Sequence, residues 1–189
     1  LAAMPAAFER HGMHFGRPLL AVSAAAIRGW LVDHQVAHVL DPTNADLAFT
    51  VGLVHALGQL VMHVAQPEAM VPIDGQCHPL AAPRAALETA ALGYHHGEVS
   101  AGLAARWKFP AEVVDPLRSA VDPLHTDPPS PMAALIHIAA WRARIDSLAL
   151  AADAAAESCP QPVARVLGLD LEWLPDLATV GIEHDGLPP

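Results

Sequence analysis

Twelve of the 189 residues are histidines, and their placement decides what chemistry this chain could attempt. His55 lies in the middle of the apolar stretch Ala48 to Met62, and His137 is embedded in a second apolar run. A lone histidine in an apolar helix is ordinarily a hydrogen-bonded core residue, and that is the expectation for both. His34 and His38 are four apart, a spacing that can hold zinc from one helix face, but two nitrogens do not make a site. His95, His96 and Glu98 cluster where a helix should start, which suits capping and a partly solvated imidazole. No Ser-His-Asp or Cys-His arrangement can be assigned. The chain has no P-loop and no G-x-G-x-x-G.

The elements that must carry these residues are helices. Alanine runs such as Ala24-Ala25-Ala26 and Ala154-Ala155-Ala156 favour helix, and β-branched and aromatic residues are too sparse for a sheet. Pro18 suits a first helical turn, and the apolar spacing from Leu19 to Leu31 predicts a helix to about His38. Asn44 is placed to cap the next helix, expected from Ala45 to Val64. That helix is apolar almost all the way round its period, so it is expected to be buried on every side. Pro67 should close the region, and Val71 to Pro83, with its prolines, reads as loop. Helices are then expected over Arg84–Leu92, ended by Gly93, over Tyr94–Lys108, and from Pro110 or Ala111 to about Val121. A proline-rich loop leads to a strong helix over Met132–Leu150. Ala151–Ser158 continues it or begins another, and Pro162–Leu167 and Leu171–Thr179 close the chain. Trp30, Trp107, Trp141 and Trp173 read as core anchors. Arg142 and Arg144 could form a patch with Arg106 and Lys108, although solvation is the plainer reading.

Composition narrows the classes. Apolar residues make up 53% and charged residues 16%, enough for one domain with a real core. The formal net charge of -10 repels phosphate backbones, so no nucleic-acid partner is expected. Leu47 to Gln66 carries no charge and is long enough to span a bilayer, but Gly52, His55, Gly58, Gln59 and His63 interrupt it and no basic cluster flanks it. No membrane partner is expected. Cys77 and Cys159 lack CxxC spacing and suit a cytoplasmic protein with structural or idle thiols, though spacing alone leaves a disulfide open. No signal peptide is read, and with Leu1 in first position the chain reads as part of a longer protein.

Four blocks in register resemble the HDOD domain, a divergent relative of the HD and HD-GYP metal phosphohydrolases of bacterial signalling proteins. Gly16-Arg17-Pro18-Leu19-Leu20-Ala21-Val22-Ser23 is similar to W-R-H-S-L-A-V-A. Gly52 to Leu60 is similar to G-L-L-H-D-I-G-K-L. Glu88 through Pro110, with Leu92-Gly93, His96, Glu98-Val99 and Arg106-Trp107, follows E…L-G…H-x-E-V…R-W-x-x-P. Leu135 to Trp141 is similar to L-V-H-L-A-D-W. The departures fall on the chemistry. The first histidine of the family pattern is Pro18 here, the HD aspartate is Ala56, the paired histidines after the R-W-x-x-P helix fall near Ala120-Val121, and the late A-D pair is Ala139-Ala140. Carboxylates bridge hard cations and activate water in a two-metal hydrolase, and neutral imidazoles alone do not replace them.

The resemblance implies an all-α, HD-domain-like helical bundle over residues 16–180, with 1–15 a lead-in left from an absent helical lobe and 181–189 a loose tail. It implies a non-catalytic regulatory module that acts through protein contacts or self-association in the bacterial cytoplasm, with no catalytic residue, no metal and no cofactor. One rival is a degenerate phosphohydrolase holding a metal through His55, His96, His137 and Glu88. A second is a small-ligand sensor, with Ala56, Ala120 and Ala140 leaving room in the vacated pocket. A third is a structural fragment of a larger enzyme.

Overall fold

The computed structural model describes residues 45–79 and 81–169. Among these the chain forms nine helices and no strand, so the fold is all-α. The predicted helices over Leu19–His38 and Leu171–Thr179, the cap at Asn44, the His34–His38 pair, Pro18, Trp30 and Trp173 lie outside the described residues.

The helices are α1 (Ala45–Val54), α2 (Leu57–Ala65), α3 (Pro67–Asp74), α4 (Arg84–Leu92), α5 (His96–Arg106), α6 (Ala111–Ser119), α7 (Pro131–Leu148), α8 (Ala152–Glu157) and α9 (Gln161–Val166). Their ends follow local chemistry. α4 stops at Gly93, whose φ of +82° is the left-handed conformation that glycine takes without penalty. α5 starts at His96, capped by His95, rather than at Tyr94. The His95 ring accepts the Gly97 N–H at 3.1 Å, and the Glu98 carboxylate accepts the His95 N–H at 3.1 Å. This is the capping expected of that cluster.

Two expectations are corrected. Pro67 follows the end of α2, as expected, but it also opens the next helix, since its missing N–H costs nothing at the first position. α3 therefore occupies Val71 to Asp74, which read as loop, and it carries Pro72 inside it. Burial outweighs propensity here: Met70 and Ile73 pack with Met62 against Leu87, Leu92, Tyr94 and Val99.

The second correction concerns the long apolar stretch. It is two helices, broken at His55-Ala56. In an unbroken helix the Gly58 N–H would bond to Val54 and the His55 carbonyl would accept from Gln59. Instead the Ser100 hydroxyl accepts the Gly58 N–H and donates to the His55 carbonyl, both at 2.7 Å, while the Gln59 N–H turns to the Ala56 carbonyl at 3.1 Å. A side chain from α5 inserted into the ladder explains the break. Nor is the stretch buried on every side: Phe49 and Leu53 are 37% and 39% exposed, while Ala48, Val51 and Met62 are buried. Leu47–Ala65 still has the length and hydropathy to cross a membrane.

The helix surrounded by protein is α7. Ala133, Ala134, Leu135, Ile136, Ile138, Ala139 and Trp141 are all buried along it. It joins Val51 of α1, Ala101 and Ala104 of α5, Leu117 of α6 and Val163 and Ala164 of α9 in the main core. Each large aliphatic side chain so buried contributes about 1.5–3 kcal/mol. Trp141 is a core anchor as expected; Trp107 is not, being 55% exposed at the end of α5.

α5 packs on both α2 and α6. Its approach to α2 is close enough that a Cβ on Gly58 would lie 1.9 Å from the His96 carbonyl oxygen. Glycine is required there, and that contact sets the His55-Ala56 break beside the start of α5.

Candidate functional site

The break after α1, the start of α5 and the middle of α7 enclose a cavity of about 120 Å³. His55, His96 and His137 all line it, with Ala56, Ala120 and Ala140. Residues distant in sequence thus meet at one cavity. Glu88, the fourth member of the rival metal set, is not in the lining.

Each histidine is fixed through the same nitrogen. Nδ1 of His55 donates to the Gly52 carbonyl at 2.6 Å. Nδ1 of His137 donates to the Ala120 carbonyl at 2.8 Å. Nδ1 of His96 donates to Oε2 of Glu88 at 2.7 Å. Nδ1 is thus the nitrogen that anchors each ring. Burial lowers the pKa of His55, partly opposed by the Gly52 carbonyl and reinforced by the charge of His96. Burial likewise lowers that of His137, where the Ala120 carbonyl opposes and Arg144 adds to the effect. Both rings favour the neutral form.

Behind the cavity runs a chain of paired charges that sequence reading missed. Arg84 and Glu88 are 1% and 0% exposed. Arg84 Nε donates to Glu88 Oε1 at 2.9 Å, and Nη1 pairs with Asp74 Oδ1 at 2.7 Å and reaches the Cys77 carbonyl at 3.3 Å. The other Asp74 oxygen faces His63 Nε2 at 3.0 Å. Glu88 Oε2 also accepts the His96 backbone N–H at 2.8 Å. Burial alone would raise the Glu88 carboxyl; the bonds from His96 and Arg84 outweigh it and hold the group below its ordinary range. Burial alone would lower Arg84, but Glu88 and Asp74 hold it above its ordinary value. The one sequence signal was the Arg84–Glu88 spacing of four inside an alanine-rich helix, which reads the same in an exposed pair.

These residues do not fit a bridged metal centre. Both oxygens of Glu88 are engaged, and no Asp or Glu among the described residues lines the cavity. Among the described residues no group of three or more His, Cys, Asp or Glu side chains is placed to hold a metal ion. The residues lining the cavity include Arg84, Arg144 and Gln59 instead. Arg144 is thus at the cavity, not in a surface patch with Arg106 and Lys108. Cys77 and Cys159 are free thiols.

Fold and site together define an all-α domain of the HD-like class. The HDOD domain model matches residues 21–123, more than half of the 189, and the chain belongs to that family. His137 and α7 lie beyond the matched segment. The chain is similar in fold to a crystal structure of a Shewanella amazonensis SB2B protein provisionally named a phosphohydrolase. The TM-score is 0.59 at 22% identity, over 87% of this chain and 60% of that one. A segment of 56 residues is 48% identical to the tRNA(Ile)-lysidine synthase of Polaromonas naphthalenivorans (strain CJ2), covering 30% of this chain and 17% of that protein. The chain thus spans less than two thirds of the length of either relative.

Proposed function

We propose that this chain is a non-catalytic regulatory module of HD-like fold, acting through contacts with a protein partner or a second copy of itself in the cytoplasm. The observation that carries the reading is the absence of any carboxylate among the described residues that line the cavity, with Ala56 beside His55. A hydrolase of this architecture needs anionic oxygens to bridge cations and activate water. The surface supplies apolar contact points suited to a partner: Phe49 and Leu53 one turn apart on α1, Val64 and Val71 on α2 and α3, and Trp107 after α5. Ala48, Val51 and Met62 are buried against the domain, which supports a core role for the apolar stretch over a membrane role. The net charge of -10 opposes binding to a phosphate backbone, and the short match to a lysidine synthase brings no RNA substrate with it.

The test is an assay of the purified chain against phosphodiester and nucleotide substrates with added Mn²⁺ or Fe²⁺, beside His55→Ala. The expected result is no turnover above buffer in either protein. Hydrolysis by the wild type that disappears in His55→Ala would overturn the proposal.

A further inference from the structure

We infer that this chain pairs with a second copy of itself by seating Trp107, flanked by Arg106 and Lys108, in a groove of the second copy between α4 and the end of α6. The contact rests on the reading of the chain as a contact module and commits that reading to one occupant.

One half of the contact is the turn between α5 and α6. Trp107 is 55% exposed, and Arg106 and Lys108 are exposed on either side of it. Lys108 is the one lysine of a chain whose formal net charge is -10, so the turn is a cationic point on an acidic protein. It is also held in shape. The Lys108 N–H donates to the Ala105 carbonyl and the Phe109 N–H to the Ala104 carbonyl, both at 3.0 Å, which closes α5. Lys108 has a φ of +62°, a conformation that glycine takes without penalty and lysine does not. Glycine at that position would ease the turn but bring no charge. The Trp107 ring lies tilted against Phe109 at a centroid separation of 6.5 Å, and Phe109 packs on the main core. A ring braced before contact loses little freedom on binding.

The other half is a groove of about 1190 Å³, lined by α4, the start of α5, the end of α6 and the loop that follows. Ala86 and Ala90 are exposed along its α4 wall, where small apolar side chains leave width for an indole. Across from them the lining includes Glu98, Asp115 and Asp122, with Arg118 the one Arg or Lys among the described residues. An apolar wall facing acidic groups complements an aromatic ring between two cations. The volume exceeds the roughly 300–1,000 Å³ of sites for drug-sized ligands, so a ring and its neighbours are admitted together.

The two halves cannot meet within one molecule. Glu98 lies in the first turn of α5 and Trp107 just beyond its last residue, and the eleven residues of that helix span roughly 16 Å. A second copy has to supply the turn. Elsewhere two copies of so acidic a chain repel each other, and the opposite charges at this contact fix which faces meet. Tryptophan and arginine are also among the residues that most often dominate the binding energy of an interface.

The experiment is sedimentation velocity over a range of protein concentrations on the wild type, Trp107→Ala, Asp115→Lys/Asp122→Lys, and an equimolar mixture of the two variants. The altered side chains are exposed, so both variants should melt as the wild type does. Trp107→Ala takes a ring away from Phe109, so Arg106→Glu/Lys108→Glu, which leaves the ring in place, serves as a second turn variant. The wild type should associate reversibly, and each variant alone about tenfold or more weakly. The mixture should regain pairing, because one copy keeps the groove and the other keeps the turn. A wild type that stays monomeric at every concentration would overturn the inference. So would association that survives both sets of substitutions, or variants that fold but do not pair when mixed. Association lost in Phe49→Ser/Leu53→Ser and unchanged in the turn and groove variants would move the contact to α1 and overturn it too. Turnover in the phosphodiester assay would instead overturn the reading as a contact module, a failure distinct from the absence of pairing.

Discussion

Two polar regions meet at Arg84, and they are built on opposite rules. On one side, the chain from His63 through Asp74, Arg84 and Glu88 to His96 pairs every carboxylate oxygen with a donor. On the other, the cavity gathers His55, His137, Arg144 and Gln59 with no carboxylate among them. The first region spends its charge on holding α3, α4 and α5 together. The second keeps hydrogen-bonding capacity that the protein itself does not use. The difference teaches that one carboxylate, Glu88, can be wholly engaged in holding helices together while the histidines beside it line a cavity.

The comparison breaks most visibly if Glu88 is removed. Glu88→Ala leaves Arg84 with Asp74 alone and frees His96, and truncating one member of a buried ion pair costs about 3–5 kcal/mol. The midpoint of urea unfolding should fall accordingly, whereas a loss below about 1 kcal/mol would make the chain of charges ornamental. Ser100→Ala should come next. It leaves both the Gly58 N–H and the His55 carbonyl unpaired, at about 1–3 kcal/mol for each buried group left unsatisfied. Hydrogen exchange of the Gly58 amide should accelerate in that variant; unchanged protection would show that Ser100 does not hold the break.

Acid sharpens the contrast, because both regions lose stability as pH falls but in different windows. His55, His95 and His137 have folded pKa values below their ordinary 6.5, so the unfolded chain takes up protons first and stability declines as pH drops through that value. The groups that set these shifts include His96 beside His55, and Arg144 and Asp122 beside His137. Glu88 is depressed below its ordinary 4.5, so its contribution, complete above that value, is lost only on further acidification. The melting temperature should therefore fall between pH 7 and 5, and a His55→Gln/His137→Gln double variant should flatten that slope. An unaltered slope would place the titration elsewhere. The smallest effect belongs to His55→Ala at neutral pH. Its ring bonds only the nearby Gly52 carbonyl, and loss of one such bond costs about 0.5–1.5 kcal/mol. A loss comparable to that of Glu88→Ala would mean that the cavity histidines are structural after all.

Much of the frame was legible in the sequence, for reasons that differ along the chain. α4 has the predicted bounds because a glycine at its end and alanines within it act locally. α7 was legible as a long helix but not as the central one. The apolar stretch before it has the stronger hydropathy, and exposure of Phe49 and Leu53 depends on neighbours distant in sequence. The break at His55-Ala56 was invisible because Ser100, 45 residues away, makes it. α3 was hidden by its prolines, which signal turns unless burial of Met70 and Ile73 overrides them. At the site, His55, His96 and His137 were found through their sequence blocks, and they do meet. Arg84 was not, since an Arg–Glu pair four apart reads identically on an exposed face and in a core.

The most direct test of the central claim is the metal content of the purified chain, by elemental analysis after exposure to Mn²⁺ or Fe²⁺ and desalting. With no carboxylate among the described residues that line the cavity, the prediction is no retained metal, in the wild type as in His55→Ala. Near-stoichiometric metal in the wild type that is lost in His55→Ala would contradict the account.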